Sequence, residues 1–435
     1  MKTTITALLA EIKLAAAGSK DHARKAIELD LIKIEPGAIQ KVAPYLGSKS
    51  YQKISIVADV TTFDVAGKQL MTILEGSAFS VYVTIIKPDR QGDVMADEAS
   101  LIQLITDMKK NEAEVLIAVG GGTIHDIARY SAYISGVPFI SVPTAPSVDG
   151  FNSMGAPVLL RGEKTTIPAM GPSALFADLD VLVKAPAALV AAGFGDMLGK
   201  YTSLFDWKFG SITAGEPYMQ AAADITKSAL LQCVEQVDLI AERQEEGIRT
   251  LMSALIESGL AMLLFGQSHP ASGAEHHLSH YWEMEHIRLG KRQLLHGAKV
   301  GVASIEISRL YHRIAKEGAG YWRGVLSRGV PSSMAGAGTE FNLIAAHWED
   351  IQREISEIPD EETLSRLLHK LGGPVAAEDL QINPELLNRS LEEAWRVRPN
   401  RFTLLRAYNE RAFTYSSRSY NTDVTIHPYN QYERK

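Results

Sequence analysis

The sequence predicts an α/β N-terminal domain built on a parallel sheet, followed by an all-helical C-terminal domain. Two observations carry this: short apolar runs alternate with helix-length stretches up to about residue 185, and strand-like runs stop after Pro186. Length agrees, since 435 residues with 46% hydrophobic side chains exceed one comfortable core. The strand runs are residues 54–59 (ISIVAD), 80–86 (SVYVTII), 114–120 (EVLIAVG), 137–142 (VPFISV) and 174–179 (ALFADL). Between them, 100–110 (SLIQLITDMKK) and 123–135 (TIHDIARYSAYIS) carry helical spacing. Residues 1–185 are therefore expected to form the α/β domain and residues 186–435 the helical one. In the latter, PAALVAAGFGDMLGKYTSLFDWKFG and EEGIRTLMSALIESGLAMLLFG repeat at helical spacing, and Pro359 and Pro384 precede acidic first turns.

Composition excludes several functions. The net charge of −7, from 44 basic and 51 acidic residues, leaves no basic surplus for nucleic acid or an anionic membrane. The weakly apolar N-terminal run is broken by Glu11 and Lys13, and no stretch reaches the roughly 18 uninterrupted apolar residues of a membrane span. The single cysteine, Cys233, cannot form an internal disulfide, and its apolar surroundings predict a buried structural role. A cytoplasmic protein without membrane insertion is the expectation.

The most informative segment follows the run EVLIAV: Gly120, Gly121 and Gly122, then Thr123, Ile124, His125 and Asp126. Consecutive glycines let the backbone turn tightly and approach a diphosphate, and a helix opening at Thr123 would aim free N–H groups at it. A plain strand-to-helix turn is the alternative. After the next strand run comes a loop rich in hydroxyls. Thr144, Ser147 and Ser153 can bond a phosphate, a ribose or an amide, and Asp149 can accept from a substrate hydroxyl. Loops at the carboxyl ends of neighbouring parallel strands share one crevice, so this loop should face the glycines. Asp59, closing the first clear strand run, has two equal readings: acceptor from an adenosine ribose, which would favour NAD over NADP, or helix N-cap.

Six of the twelve histidines fall between His269 and His296. His276 and His280, four apart, share a helical face, while His277 and His286 are expected to point elsewhere. Two or three nitrogen ligands need an oxygen partner if a metal is to keep an open position, and Asp196, set among glycine, leucine and methionine, is the best candidate. Solvated histidines and a helix-capping aspartate are the alternatives. HExxH, CxxC and GxSxG are absent, which removes the common protease, zinc-ribbon and acyl-transfer readings.

Taken together, AVGGGTIHDIAR, SVPTAPSVDGFNS, AAGFGDMLGKYTSLFDW, SGAEHHLSHYWE and HGAKVG resemble, in order and spacing, the glycerol-1-phosphate dehydrogenases. That family shares a superfamily with iron-dependent alcohol dehydrogenases, glycerol dehydrogenases and dehydroquinate synthases. The resemblance runs from about residue 10 to 400, and the chain departs from it in a tyrosine-rich tail after about residue 408. It implies an active site in the cleft between the two domains. NAD or NADP would be held by Asp59, the glycine loop with Thr123 and Asp126, the segment Thr144 to Ser147, and Ser153. A divalent metal, nickel or zinc with iron as third candidate, would be held by Asp196, His276 and His296, with His286 as rival to His296. Asp149 and His280 would contact the substrate, a small phosphorylated polyol or ketone, making Asp149, Asp196 and His280 the catalytic set. The implied reaction interconverts dihydroxyacetone phosphate and sn-glycerol 1-phosphate by hydride transfer. Lys164, Lys200 and Lys299, with Arg161 behind them, are the cations available for the phosphate. A homodimer is expected. The competing readings are a glycerol or other polyol dehydrogenase without a phosphate requirement, and a non-catalytic binding protein on the same fold.

Overall fold

A computed structural model describes residues 5–17, 28–320, 322 and 337–413. The tyrosine-rich tail beyond Phe413 lies outside the described residues. Eight strands occur among them: β1 Leu31–Glu35, β2 Lys53–Ala58, β3 Ser80–Ile85, β4 Val115–Gly120, β5 Phe139–Pro143, β6 Gly155–Leu160, β7 Glu163–Pro168 and β8 Ala174–Asp178. Six form one sheet in the order β1-β8-β5-β4-β2-β3, with every pairing parallel. β4, β5 and β8 are buried along their whole length, which is why each reads as a continuous apolar run. Ile54, Ile56, Ile117 and Val119 fill one face of the sheet, and Val57, Leu116, Ala118 and Phe139 the other.

Sequence reading missed β1 and the hairpin of β6 and β7. β1 (LIKIE) is an edge strand with only Ile32 buried, so it lacks the apolar run that marks the central strands. The hairpin is antiparallel, with Leu160 opposite Glu163 across a two-residue turn in which Arg161 (φ 55°) and Gly162 (φ 78°) both take left-handed backbone. That geometry suits the strand twist, but it is usually signalled by Asn-Gly or Asp-Gly rather than Arg-Gly.

The helices that position the site are α1 Ile5–Ala17, α2 Glu98–Lys110, α3 Gly122–Ser135, α4 Ala187–Leu198, α5 Lys200–Ala214, α6 Gln220–Glu235, α7 Glu245–Phe265, α8 Ala274–Arg288 and α9 His296–Glu317. Shorter helices follow, ending with α10 Leu404–Phe413. No strand occurs after Asp178 among the described residues. Length and composition would let α7 cross a membrane, yet 72% of its apolar window is buried inside the protein. It is the central core helix: its Leu251, Met252 and Leu255 join Phe194 and Met197 of α4 and Leu175 and Ala177 of β8 in one cluster. Leu9 and Ile12 of α1 enter the same cluster, so the apolar N-terminal run is a packed helix. Cys233 on α6 is buried there too, and burial raises its thiol pKa above the ordinary value.

Candidate active site

β4 and β5 are neighbours and end together. Gly120 pairs with Pro143, and the Thr144 N–H donates to the Gly120 carbonyl at 3.1 Å, so the glycine loop and the loop 143–153 face each other. α3 opens at Gly122 with no side-chain cap, and Thr123 is exposed in its first turn. A Cβ at Gly121 would meet nothing within 4 Å, whereas one at Gly122 would press to 3.1 Å from Val148. Gly121 therefore borders open space at the positive end of α3, where a diphosphate fits. His125 pins the loop from below: its Nδ1 lies 2.8 Å from the Gly121 carbonyl and its Nε2 2.7 Å from Ser141 Oγ, and burial lowers its pKa to about 3, so it stays neutral. Asp126 pairs at 2.7 Å with the buried Arg129, which also donates to the carbonyls of Gly150 and Gly155 and ties α3 to the facing loop. Desolvation raises the Asp126 carboxyl to about 6 against the pull of Arg129.

Thr144, Ser147 and Asp149 are buried in this crevice. Ser153 is committed locally, its Oγ accepting from the Gly155 N–H at 3.0 Å. Asp59 caps the helical turn Val60–Thr62, with Oδ1 accepting from the Thr62 N–H at 2.7 Å and its own N–H donating to Thr62 Oγ1 at 3.1 Å.

The helical side approaches this loop through backbone contact. A Cβ at Gly193 of α4 would fall 1.8 Å from the Pro146 carbonyl oxygen, and one at Gly297 of α9 would fall 1.8 Å from that of Ala192. Only glycine permits both approaches, which set the middle of α4 against the loop 143–153 and the start of α9 against α4. Asp196 on α4, His276 at the start of α8 and His296 at the start of α9 thereby converge, each offering a ligand atom within 4.8 Å of the others. The rings of His276 and His296 lie 5.2 Å apart, and His280 completes a triangle at 6.2 and 6.1 Å. His277 is buried outside this group, and His286 sits in the last turn of α8 with Nδ1 3.4 Å from the Arg292 carbonyl.

The donor chemistry fits a divalent metal. Burial holds His296 well below its ordinary pKa and His280 at about 3, and the neutral imidazole is the coordinating form. The Nδ1 of His276 is 2.7 Å from the buried carboxylate of Glu275, which also accepts from Thr202 Oγ1 and the Gly273 N–H. With its Nδ1 proton so placed, His276 keeps an Nε2 lone pair, and Nε2 stands 3.9 Å from Asp196 Oδ1. One carboxylate and two imidazoles make a three-ligand set that leaves a coordination position open.

Lys200, fully buried, lies 2.7 Å from Asp149 Oδ2 and 3.0 Å from Asp196 Oδ1. Burial alone would lower its pKa, but the two carboxylates outweigh that and hold it above the ordinary value. The Asp149 N–H donates to Asp196 Oδ2 at 3.0 Å, and Ser258 Oγ donates to Asp149 Oδ2 at 2.9 Å. The expected substrate-side and metal-side aspartates are thus one hydrogen-bonded unit. Sequence reading did not reach Glu275, Ser258 or Glu283. Glu275 adjoins His276 and Glu283 follows His280 by three, a spacing that offers a weak signal, whereas Ser258 in its apolar helix offers none.

Residues 33–186 match the family model of iron-containing alcohol dehydrogenases. The fold recurs in glycerol dehydrogenase from Schizosaccharomyces pombe (TM-score 0.61, 19% identity, 89% of each chain covered). It recurs also in an alcohol dehydrogenase from Oenococcus oeni (TM-score 0.63, 17% identity, 89% of this chain and 97% of that one). The family-model match and the fold are those of the iron-containing alcohol dehydrogenases. Within that class, the chain is 47% identical to a glycerol-1-phosphate dehydrogenase from Geobacillus thermodenitrificans over 90% of its own length and 95% of the relative's. Identity is 42% with the Bacillus subtilis protein of that name (88% and 92% covered) and 30% with that of Pyrococcus furiosus (81% and 85% covered). The chain belongs to the glycerol-1-phosphate dehydrogenase family.

Proposed function

We propose that this enzyme interconverts dihydroxyacetone phosphate and sn-glycerol 1-phosphate, transferring a hydride between C2 of the substrate and NAD or NADP. The observation that carries the reading is the convergence of Asp196, His276 and His296 on the crevice lined by the glycine loop. The relatives' shared name supports the substrate and the NAD(P) cofactor. The donor set Asp-His-His suits nickel, zinc or iron, and nickel or zinc is the metal proposed. When bound, the metal supplies a Lewis acid for the C2 oxygen.

The chain's own residues do the rest. Gly120, Gly121, Gly122 and Thr123 receive the diphosphate, with Asp126, Thr144 and Ser147 around the nicotinamide end, and Asp59 and Ser153 as outer cofactor contacts. Asp149 accepts from a substrate hydroxyl while Lys200 and Ser258 hold its carboxylate in place. His280, neutral and one turn from His276, orients the substrate and passes a proton at Nε2 or Nδ1. The division into a cofactor domain (1–185) and a metal and substrate domain (186–435), acting as a cytoplasmic homodimer, belongs to the same reading.

The test follows NADH absorbance with metal-loaded protein given dihydroxyacetone phosphate or dihydroxyacetone. Consumption with the phosphorylated ketone, abolished by a chelator, is the expected result. Preference for the free ketone would make it a polyol dehydrogenase, and inactivity with both would overturn the substrate assignment.

A further inference from the structure

Beside the candidate metal ligands lies a second group of charges. Lys164 Nζ on β7 is 2.7 Å from Glu283 Oε2, Lys299 Nζ on α9 is 3.2 Å from the same oxygen, and His280 Nδ1 is 3.5 Å from it. One carboxylate thus answers two ammonium groups, so the group carries an excess positive charge. The neighbouring carboxylate, Asp126, is already paired with Arg129. Lys299 is the anomaly. Its side chain is only 1% exposed, and its one ion-pair partner among the described residues is the Glu283 oxygen it shares with Lys164, with which it lies out of hydrogen-bonding alignment. Burial, with Lys164 nearby, draws it down to about 8 despite Glu283. A buried ammonium that shares its only carboxylate with a second ammonium is incompletely neutralised, and a further anion would lower that cost.

The other basic candidates are placed differently. Lys200 is neutralised by Asp149 and Asp196, and Arg161 sits exposed on the hairpin turn. Lys299 stands three residues after His296 on α9, a rise of about 4.5 Å, comparable with the three bonds from C2 to phosphorus in a triose phosphate. Lys164 reaches the same point from the opposite side of the cleft, on the hairpin.

Resting on the function proposed above, we propose that Lys164 and Lys299 form the receptor for the substrate's phosphate dianion and so make the enzyme select a phosphorylated ketone over the free one. Glu283 keeps the two ammonium groups together until the phosphate takes them over. Charge-assisted bonds to a phosphate are the strong kind, and losing one costs about ten- to a hundredfold in binding.

The test compares wild type with Lys164→Met, Lys299→Met and Lys164→Arg, each metal-loaded and with a folded far-UV spectrum. Two quantities are read: the ratio of kcat/KM for dihydroxyacetone phosphate over dihydroxyacetone, and the affinity for inorganic phosphate with NADH bound, so that the glycine loop is occupied. Both methionine variants should lower the ratio and the phosphate affinity by about ten- to a hundredfold, with Lys164→Arg retaining most of each. If wild type selects the phosphorylated ketone and the methionine variants select it equally well, the receptor lies elsewhere and the proposal is overturned. If wild type shows no such selectivity, the function proposed above fails, and phosphate affinity unchanged in the variants would overturn the receptor separately.

Discussion

Glu275 gives the sharpest test of how the metal site is held. Its carboxylate accepts three bonds: 2.7 Å from His276 Nδ1, 2.7 Å from the Gly273 N–H and 2.6 Å from Thr202 Oγ1. In Glu275→Gln the amide oxygen can still face His276 and Gly273, and the Thr202 hydroxyl can rotate to accept from the amide. What disappears is the charge. A hydrogen bond to an ionised group contributes about 1.5–3 kcal/mol against about 1 kcal/mol for a neutral pair, so the restraint on His276 weakens by about 1–2 kcal/mol. Because that restraint orients Nε2 and makes it more basic, metal affinity should fall by about 5- to 30-fold. The assay is competition for zinc or nickel against a chromophoric chelator, with thermal unfolding of the metal-free variant as a check on the fold. Unchanged metal affinity in a folded variant would refute the claim that Glu275 positions His276.

Two further predictions concern buried charge. Lys200→Met strips the ammonium shared by Asp149 and Asp196, leaving two buried carboxylates uncompensated; the metal-free protein should lose about 3–5 kcal/mol in urea unfolding. Saturating divalent metal should restore more stability to that variant than it adds to wild type, and an equal gain would contradict the shared-charge account. For His125, the folded pKa of about 3 lies below the ordinary 6.5. Its stabilising contribution is therefore complete above pH 6.5 and lost as pH falls towards 3, at about 1.4 kcal/mol per pH unit. Between pH 7 and pH 5, His125→Gln should lose about 2 kcal/mol less stability than wild type; equal losses would mean that His125 is not held neutral in the fold.

Local pattern carried the fold a long way. Central strands buried on both faces must be apolar throughout, so β2, β4, β5 and β8 stand out in the chain, and β3 beside them reads nearly as well. The edge strand β1 and the solvent-facing hairpin bury little and left no such mark, although the hairpin carries Lys164. The glycine loop was legible because a tight strand-to-helix turn needs consecutive residues. His276 and His280 were legible because one helical turn separates them.

Pairings across the chain were not legible. Asp59 could be read equally as ribose acceptor or helix cap, and its carboxylate does cap the turn Val60–Thr62. His286 and His296 were rivals by sequence, and the approach of α9 to α4 at Gly297 and Ala192 sets His296, not His286, beside Asp196. Lys164, Lys200 and Lys299 looked alike as cations; tertiary contact gave Lys200 to two aspartates and left Lys164 and Lys299 sharing one glutamate. The sequence by itself determined the order of layers, the turn that can receive a diphosphate and the residue types able to hold a metal, because those follow from hydrophobic period and local backbone geometry. Which aspartate, histidine and lysine meet was decided only by the packing of α9 on α4 and α8 and of α4 on the loop 143–153, since hydrogen bonds and Coulomb forces act over a few ångströms of space, not over separation along the chain.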